Sequence, residues 1–70
     1  MRIVVVVEPT ETGFSAFSPD LPGCVATGSS REAVEREMRA AIALHLEGLR
    51  AEGLAPPKPQ AYATFVEVAA

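Results

Sequence analysis

Seventy residues make one small domain with no room for a second, and a chain of this length buries only roughly 60% of the surface its unfolded form exposes. An apolar fraction of 49% against 21% charged belongs to a globular protein rather than a disordered one. Nine acids against six bases give a net charge of −3, and one lysine with five scattered arginines makes no basic stripe for phosphates, which argues against direct nucleic-acid binding.

Cys24 is the lone cysteine and His45 the lone histidine, so an internal disulfide and a zinc site built on paired cysteines are both excluded. No run of about 18 apolar residues is present to span a membrane. The opening apolar run is short and β-branched, and Glu8-Pro9 ends it before any small-residue cleavage site, so it reads as a strand rather than a signal peptide. The cytoplasm is the expected compartment.

Residues 2–8 are dominated by β-branched side chains and predict a first strand. Pro9-Thr10-Glu11-Thr12-Gly13 supplies turn chemistry, and residues 13–18 predict the return arm of an antiparallel hairpin, closed by Pro19. In Leu21-Pro22-Gly23-Cys24, proline and glycine occupy the central positions of a type II turn, proline pre-setting φ and glycine accepting a positive one. Asp20 is expected to accept hydrogen bonds from amides just downstream. Residues 24–28 predict a short third strand. Ser29 with Glu32 has capping-box spacing, and Ser30 is an equally good cap for a single helix over residues 31–52. Its apolar stripe holds Val34, Met38, Ala41, Ile42, His45 and Leu49, while Glu32–Arg36 and Glu35–Arg39 pair on the opposite side. Gly53 is the stop signal, residues 56–59 form an extended proline connector, and residues 61–68 predict a last strand. The order is β-β-β-α-β, an α+β fold with one helix packed on a small, mainly antiparallel sheet.

One helix covers one face of such a sheet. The first strand offers Ile3, Val5 and Val7 to one side and Val4 and Val6 to the other; the last offers Tyr62, Val66 and Val68 against Ala63 and Phe65. Apolar strand surface is left over, so self-association into a dimer or tetramer is expected, with Val4, Val6 and Phe65 as candidate contacts.

A catalytic set is hard to assemble. His45 lies within the apolar stripe, Cys24 has no neighbouring base to lower its pKa, the serines lack an elbow motif, and the glycines form no phosphate cradle. Asp20 with Glu8 or Glu35 is the one carboxylate combination for a divalent metal, and it leaves a metal-dependent hydrolase as the enzymatic alternative. No catalytic, cofactor or metal site is expected.

The run Phe14-Ser15-Ala16-Phe17-Ser18-Pro19-Asp20-Leu21-Pro22-Gly23-Cys24, then Gly28-Ser29-Ser30-Arg31-Glu32-Ala33 and later residues 41–49 with Gly53 and Pro57-Lys58-Pro59, resembles the signature of HicB-like antitoxins. The match covers most of the chain in order, and Asp-Leu-Pro-Gly-Cys is its most specific piece. The resemblance implies a partial ribonuclease-H-like unit without nuclease activity. It also implies a partner, a small basic HicA-type toxin that cleaves mRNA and whose RNA-binding surface the unit covers. Many members continue into a C-terminal helix-turn-helix or ribbon-helix-helix segment. The sequence ends at Ala70, directly after the last predicted strand, so a short form that binds no DNA by itself is expected. Asp20, Leu21, Pro22, Gly23 and Cys24 are first a structural turn and second a candidate partner contact. An orphan oligomeric binding or scaffold domain is the other reading left open.

Overall fold

The hairpin closes where its turn chemistry lies. In the computed structural model, which describes residues 1–70, β1 (Val6–Pro9) and β2 (Phe14–Phe17) pair antiparallel, and the Thr10 amide donates to the Gly13 carbonyl at 2.8 Å between them. β3 (Val25–Gly28) pairs antiparallel with the far side of β2, giving the order β1-β2-β3. Val7 stands opposite Ala16 and Ala16 opposite Ala26, so this row faces the helix. The neighbouring row, Val6, Phe17 and Val25, points to the other side.

The β1 ladder is shorter than expected. Val6 is already opposite Phe17, and the next position on β2 is Ser18, whose carbonyl accepts from the Leu21 amide at 3.2 Å as the chain turns away. Residues 2–5 therefore run on without a strand partner. The turn itself forms as its residues dictate: the Cys24 amide donates to the Leu21 carbonyl at 3.0 Å and Gly23 has φ +82°. It drops Leu21 and Cys24 into the core beside Ala16, Val34 and Met38, with Ile3, Val5, Val7, Phe14 and Ile42 packed around them. Ser18 is buried next to this turn with no hydrogen-bond partner for its Oγ, which costs about 1–3 kcal/mol.

Helix α1 (Arg31–Ala51) is capped by Ser30, whose Oγ accepts the Ala33 amide at 3.0 Å. Ser30 rather than Ser29 is the cap, so the Ser29–Glu32 capping box does not form; Glu32 instead places its charge near the positive end of the helix dipole. At the other end Gly53 has φ +74°, and the Gly53 and Leu54 amides donate to the Arg50 and Leu49 carbonyls at 3.0 and 2.9 Å. That pair of bonds is a Schellman cap. Val34 and Met38 are buried, and Ala41, Ile42, His45 and Leu49 are half-buried on the expected stripe, which Leu46 also joins. The helix is not long and apolar enough to cross a membrane.

The fourth strand expected over residues 61–68 is not formed. Residues 55–70 have no regular structure, and no backbone-to-backbone hydrogen bond reaches them. Pro56, Pro57 and Pro59 lack amide donors and hold the connector extended, so the segment leaves the body as an arm instead of folding back on the sheet. The molecule is correspondingly elongated, 49 × 27 × 16 Å, with a radius of gyration of 13.9 Å where about 11 Å is usual for this length.

Helix and sheet meet most closely where β3 ends: a Cβ at Gly28 would lie 2.5 Å from the Val34 amide nitrogen. Gly48, on the exposed side of α1, has nothing within 4 Å of the same position. The same substitution should therefore act with opposite sign at the two sites. Gly28→Ala is expected to destabilise by about 2 kcal/mol or more through overpacking, and Gly48→Ala to stabilise by about 0.5–1 kcal/mol through helix propensity. Urea denaturation of the two variants measures both, and equal signs would contradict the packing described.

Candidate protein-interaction site

Asp20 does not lock its own turn. Its Oδ1 accepts from the Gln60 amide at 3.2 Å and the Ala61 amide at 3.3 Å, and its Oδ2 from the Ala61 amide at 3.2 Å, donors that lie 40 and 41 residues further along the chain. The carboxylate thus pins the root of the C-terminal arm to the turn after β2. No group of three or more His, Cys, Asp or Glu side chains comes together, so Glu8, Asp20 and Glu35 make no carboxylate cluster.

Within the motif, Leu21 and Cys24 are core residues, Asp20 is half-buried and engaged, and only Pro22 and Gly23 are exposed. The turn is a junction between hairpin, helix and arm more than a surface. His45 is half-buried beside it, in a shallow groove of about 350 Å³ that it shares with Leu21, Pro22, Leu49, Leu54 and Pro57. The groove walls are apolar apart from Asp20 and His45, and the Asp20 carboxylate is occupied by backbone amides.

The surfaces fit for a partner lie elsewhere. On the outer face of the sheet, Val6, Phe17 and Val25 form a cross-strand apolar row, with Phe17 40% and Val25 65% exposed. Glu8, Ser15 and Thr27 form the adjacent polar row. Val4 and Val6 are half-buried; Val4 lies in a groove against the arm, whereas Val6 belongs to the outer row. Phe65 is 96% exposed on the arm. Phe17 and Val25 were absent from the contacts read from sequence, although strand alternation places both opposite in facing to Ala16 and Ala26 and so carried the signal.

Comparisons with known proteins agree on one kinship. A sequence model of the family described as HicB-like antitoxin of bacterial toxin-antitoxin system matches residues 3–69. A UPF0150 protein of Helicobacter pylori is 46% identical over 55 residues, which is 79% of this chain and 76% of that protein. Among solved structures, a chain of a HicA3 and HicB3 toxin-antitoxin complex superposes with a TM-score of 0.70 at 29% identity, covering 86% of this chain and 72% of its own.

Two outcomes follow from the geometry of the turn. Asp20→Ala should release the arm root, so that the Gln60 and Ala61 amides exchange hydrogen at rates typical of unstructured chain while α1 amides stay protected; unchanged Gln60 and Ala61 rates would show that the carboxylate does not hold the arm. Burial pushes the Cys24 thiol above its ordinary pKa, because the thiolate is the form that loses solvation. Its contribution to stability is therefore complete below the ordinary thiol pKa and is lost as pH rises through the raised one. Iodoacetamide at pH 8 should alkylate the folded chain at least ~10-fold more slowly than the urea-unfolded chain, and equal rates would contradict a buried thiol.

Proposed function

The chain belongs to the HicB-like antitoxin family, and from that premise we propose that it neutralises a small, basic, mRNA-cleaving toxin of the HicA type by covering the surface with which the toxin holds RNA. The family is one of antitoxins and is not enzymatic. The observation that carries the reading is the likeness, over 86% of the chain, to a chain of a complex between a toxin and an antitoxin.

The physics supports it in three ways. A net charge of −3 attracts a basic RNA-binding partner and repels RNA itself. The Val6, Phe17 and Val25 row, with Glu8 beside it, offers the apolar centre and acidic margin that a basic protein surface with some exposed apolar side chains would fit. The Asp20–Cys24 turn supports the sheet from the helix side, where Leu21 and Cys24 pack with Ala16. We assign the outer face to the toxin and place the encounter in the cytoplasm, where mRNA is cleaved. With one helix and no basic stripe, the chain binds no DNA by itself.

We further propose that the chain self-associates as a dimer or tetramer, and that the partial ribonuclease-H-like unit acquires its last strand only then. Val4 and Phe65 belong to that contact, whereas Val6 faces the toxin.

Co-expression with the adjacent reading frame tests the antitoxin role through pull-down and rescue of growth. The association rate should fall as salt rises while the dissociation rate stays nearly constant. Val25→Asp, at a position already exposed in the protomer, should weaken toxin binding at least ~30-fold without unfolding the chain. A toxic neighbour that neither co-purifies nor is silenced overturns the assignment. Full affinity in Val25→Asp would keep the antitoxin role and move the toxin off the outer face.

A further inference from the structure

We infer that residues 62–68 are an exchange strand: the arm of one copy pairs with the unpaired residues 2–5 of a second copy and seats Phe65 in the groove between that copy's β1 edge and its helix. This deepens the self-association proposed above and rests on it.

Four observations lead there. First, the arm has strand chemistry and no strand partner. β-Branched and aromatic residues dominate it, and Tyr62, Phe65, Val66 and Val68 are between 77% and 96% exposed. Second, the same chain carries the matching edge. Residues 2–5 continue β1 beyond the end of β2 with no ladder partner, and a groove of about 520 Å³ separates them from the chain's own residues 59–63. Edge and arm root lie across a gap that the chain does not close, so a second copy's arm entering the gap would gain residues 2–5 as its strand neighbour. Two such insertions related by a two-fold axis are equivalent and leave no unpaired arm, which gives a closed assembly.

Third, the helix side of that edge has an empty apolar seat. Met1, Ile3, Val5, Met38, Ile42 and Leu46 line a groove of about 340 Å³ with Glu35 and Arg39 as its two charged walls, and a cavity of about 150 Å³ is enough to hold a benzene ring. Phe65, 96% exposed, is the most exposed of the large apolar side chains. Fourth, the areas agree. The chain exposes 5705 Å², whereas a compact monomer of 7.4 kDa exposes about 4,200 Å². If each copy buried that excess, the contact would total roughly 3,000 Å², inside the range of about 2,000–5,000 Å² typical of obligate homodimers.

The connector directs the exchange. Pro56, Pro57 and Pro59 stiffen the approach, and the Asp20 carboxylate fixes where it ends, at Gln60 and Ala61, one residue before the exchanged strand begins. Asp20 is thus a positioning residue for the dimer.

The test uses the full chain. Light scattering at micromolar concentration should give a dimer or tetramer. In a sample mixed from labelled and unlabelled copies, isotope-filtered NMR should show intermolecular contacts from the Phe65 ring to Ile3, Val5 and Ile42. Phe65→Ala should raise the dissociation constant at least ~30-fold while helical circular dichroism is retained, since Phe65 supports nothing within its own protomer. Val66→Asp, on the other face of the arm, should do the same. An oligomer that survives both substitutions and shows no such intermolecular contacts overturns the exchange and leaves self-association standing. A monomer at every concentration overturns both.

Discussion

A single helix has to seal the sheet, and it can reach only one face of it. Everything distinctive in this molecule follows from that shortage. Only 6 of 70 residues are buried, and five of them form the fully buried apolar core between α1 and the sheet. A core of that size supplies little beyond the entropy of ordering the chain, so surface contributed by another chain would add to stability directly. The outer row of Val6, Phe17 and Val25 and the apolar arm are the surface left uncovered, and association at either would be inseparable from stability.

The Asp-Leu-Pro-Gly-Cys motif has to be understood against the same shortage. Its residues divide the labour by atom type. Gly23 takes the positive φ that brings the chain round into β3. Leu21 and Cys24 are two of the five core side chains, so the turn itself plugs the end of the sheet that the helix leaves thin. The Asp20 carboxylate, left at the rim, collects amides from the arm. A turn that builds core and tethers a distant segment has little freedom to vary, which explains its specificity as a signature without any catalytic role.

Local chemistry made much of this legible. The hairpin turn, the type II turn, the Gly53 stop and the helical stripe all depend on neighbours within about five residues, where side-chain type decides backbone geometry. Ser29 and Ser30 could not be separated from sequence, since both offer a hydroxyl within reach of the first helical turn; the structure selects Ser30 because its backbone is extended where the cap must be. The arm was misread for a more general reason. Alternation and β-branching say that residues 61–68 suit a strand, but they do not say whose edge the strand will join, and the prolines before it keep it off its own. Asp20 shows the same limit. Its capacity to accept two amides is visible in the residue, while the identity of donors 40 residues away is a tertiary fact.

β1 ties the two associating surfaces together. Residues 2–5, which precede it, are the free edge, and its first residue Val6 begins the outer apolar row. On the proposed assignment, an arm paired with residues 2–5 would extend the ladder and immobilise the strand that carries Val6, so the outer row would be better ordered in such a dimer than in the isolated protomer. Toxin bound to that row would in turn favour the state in which β1 is fixed, because coupling between two sites is reciprocal. The two-fold arrangement also presents two outer faces, so a dimer would engage two toxin molecules, each stabilising the assembly that holds the other. On that reading a chain with this little core would link its oligomeric state to its load, one uncovered surface serving both.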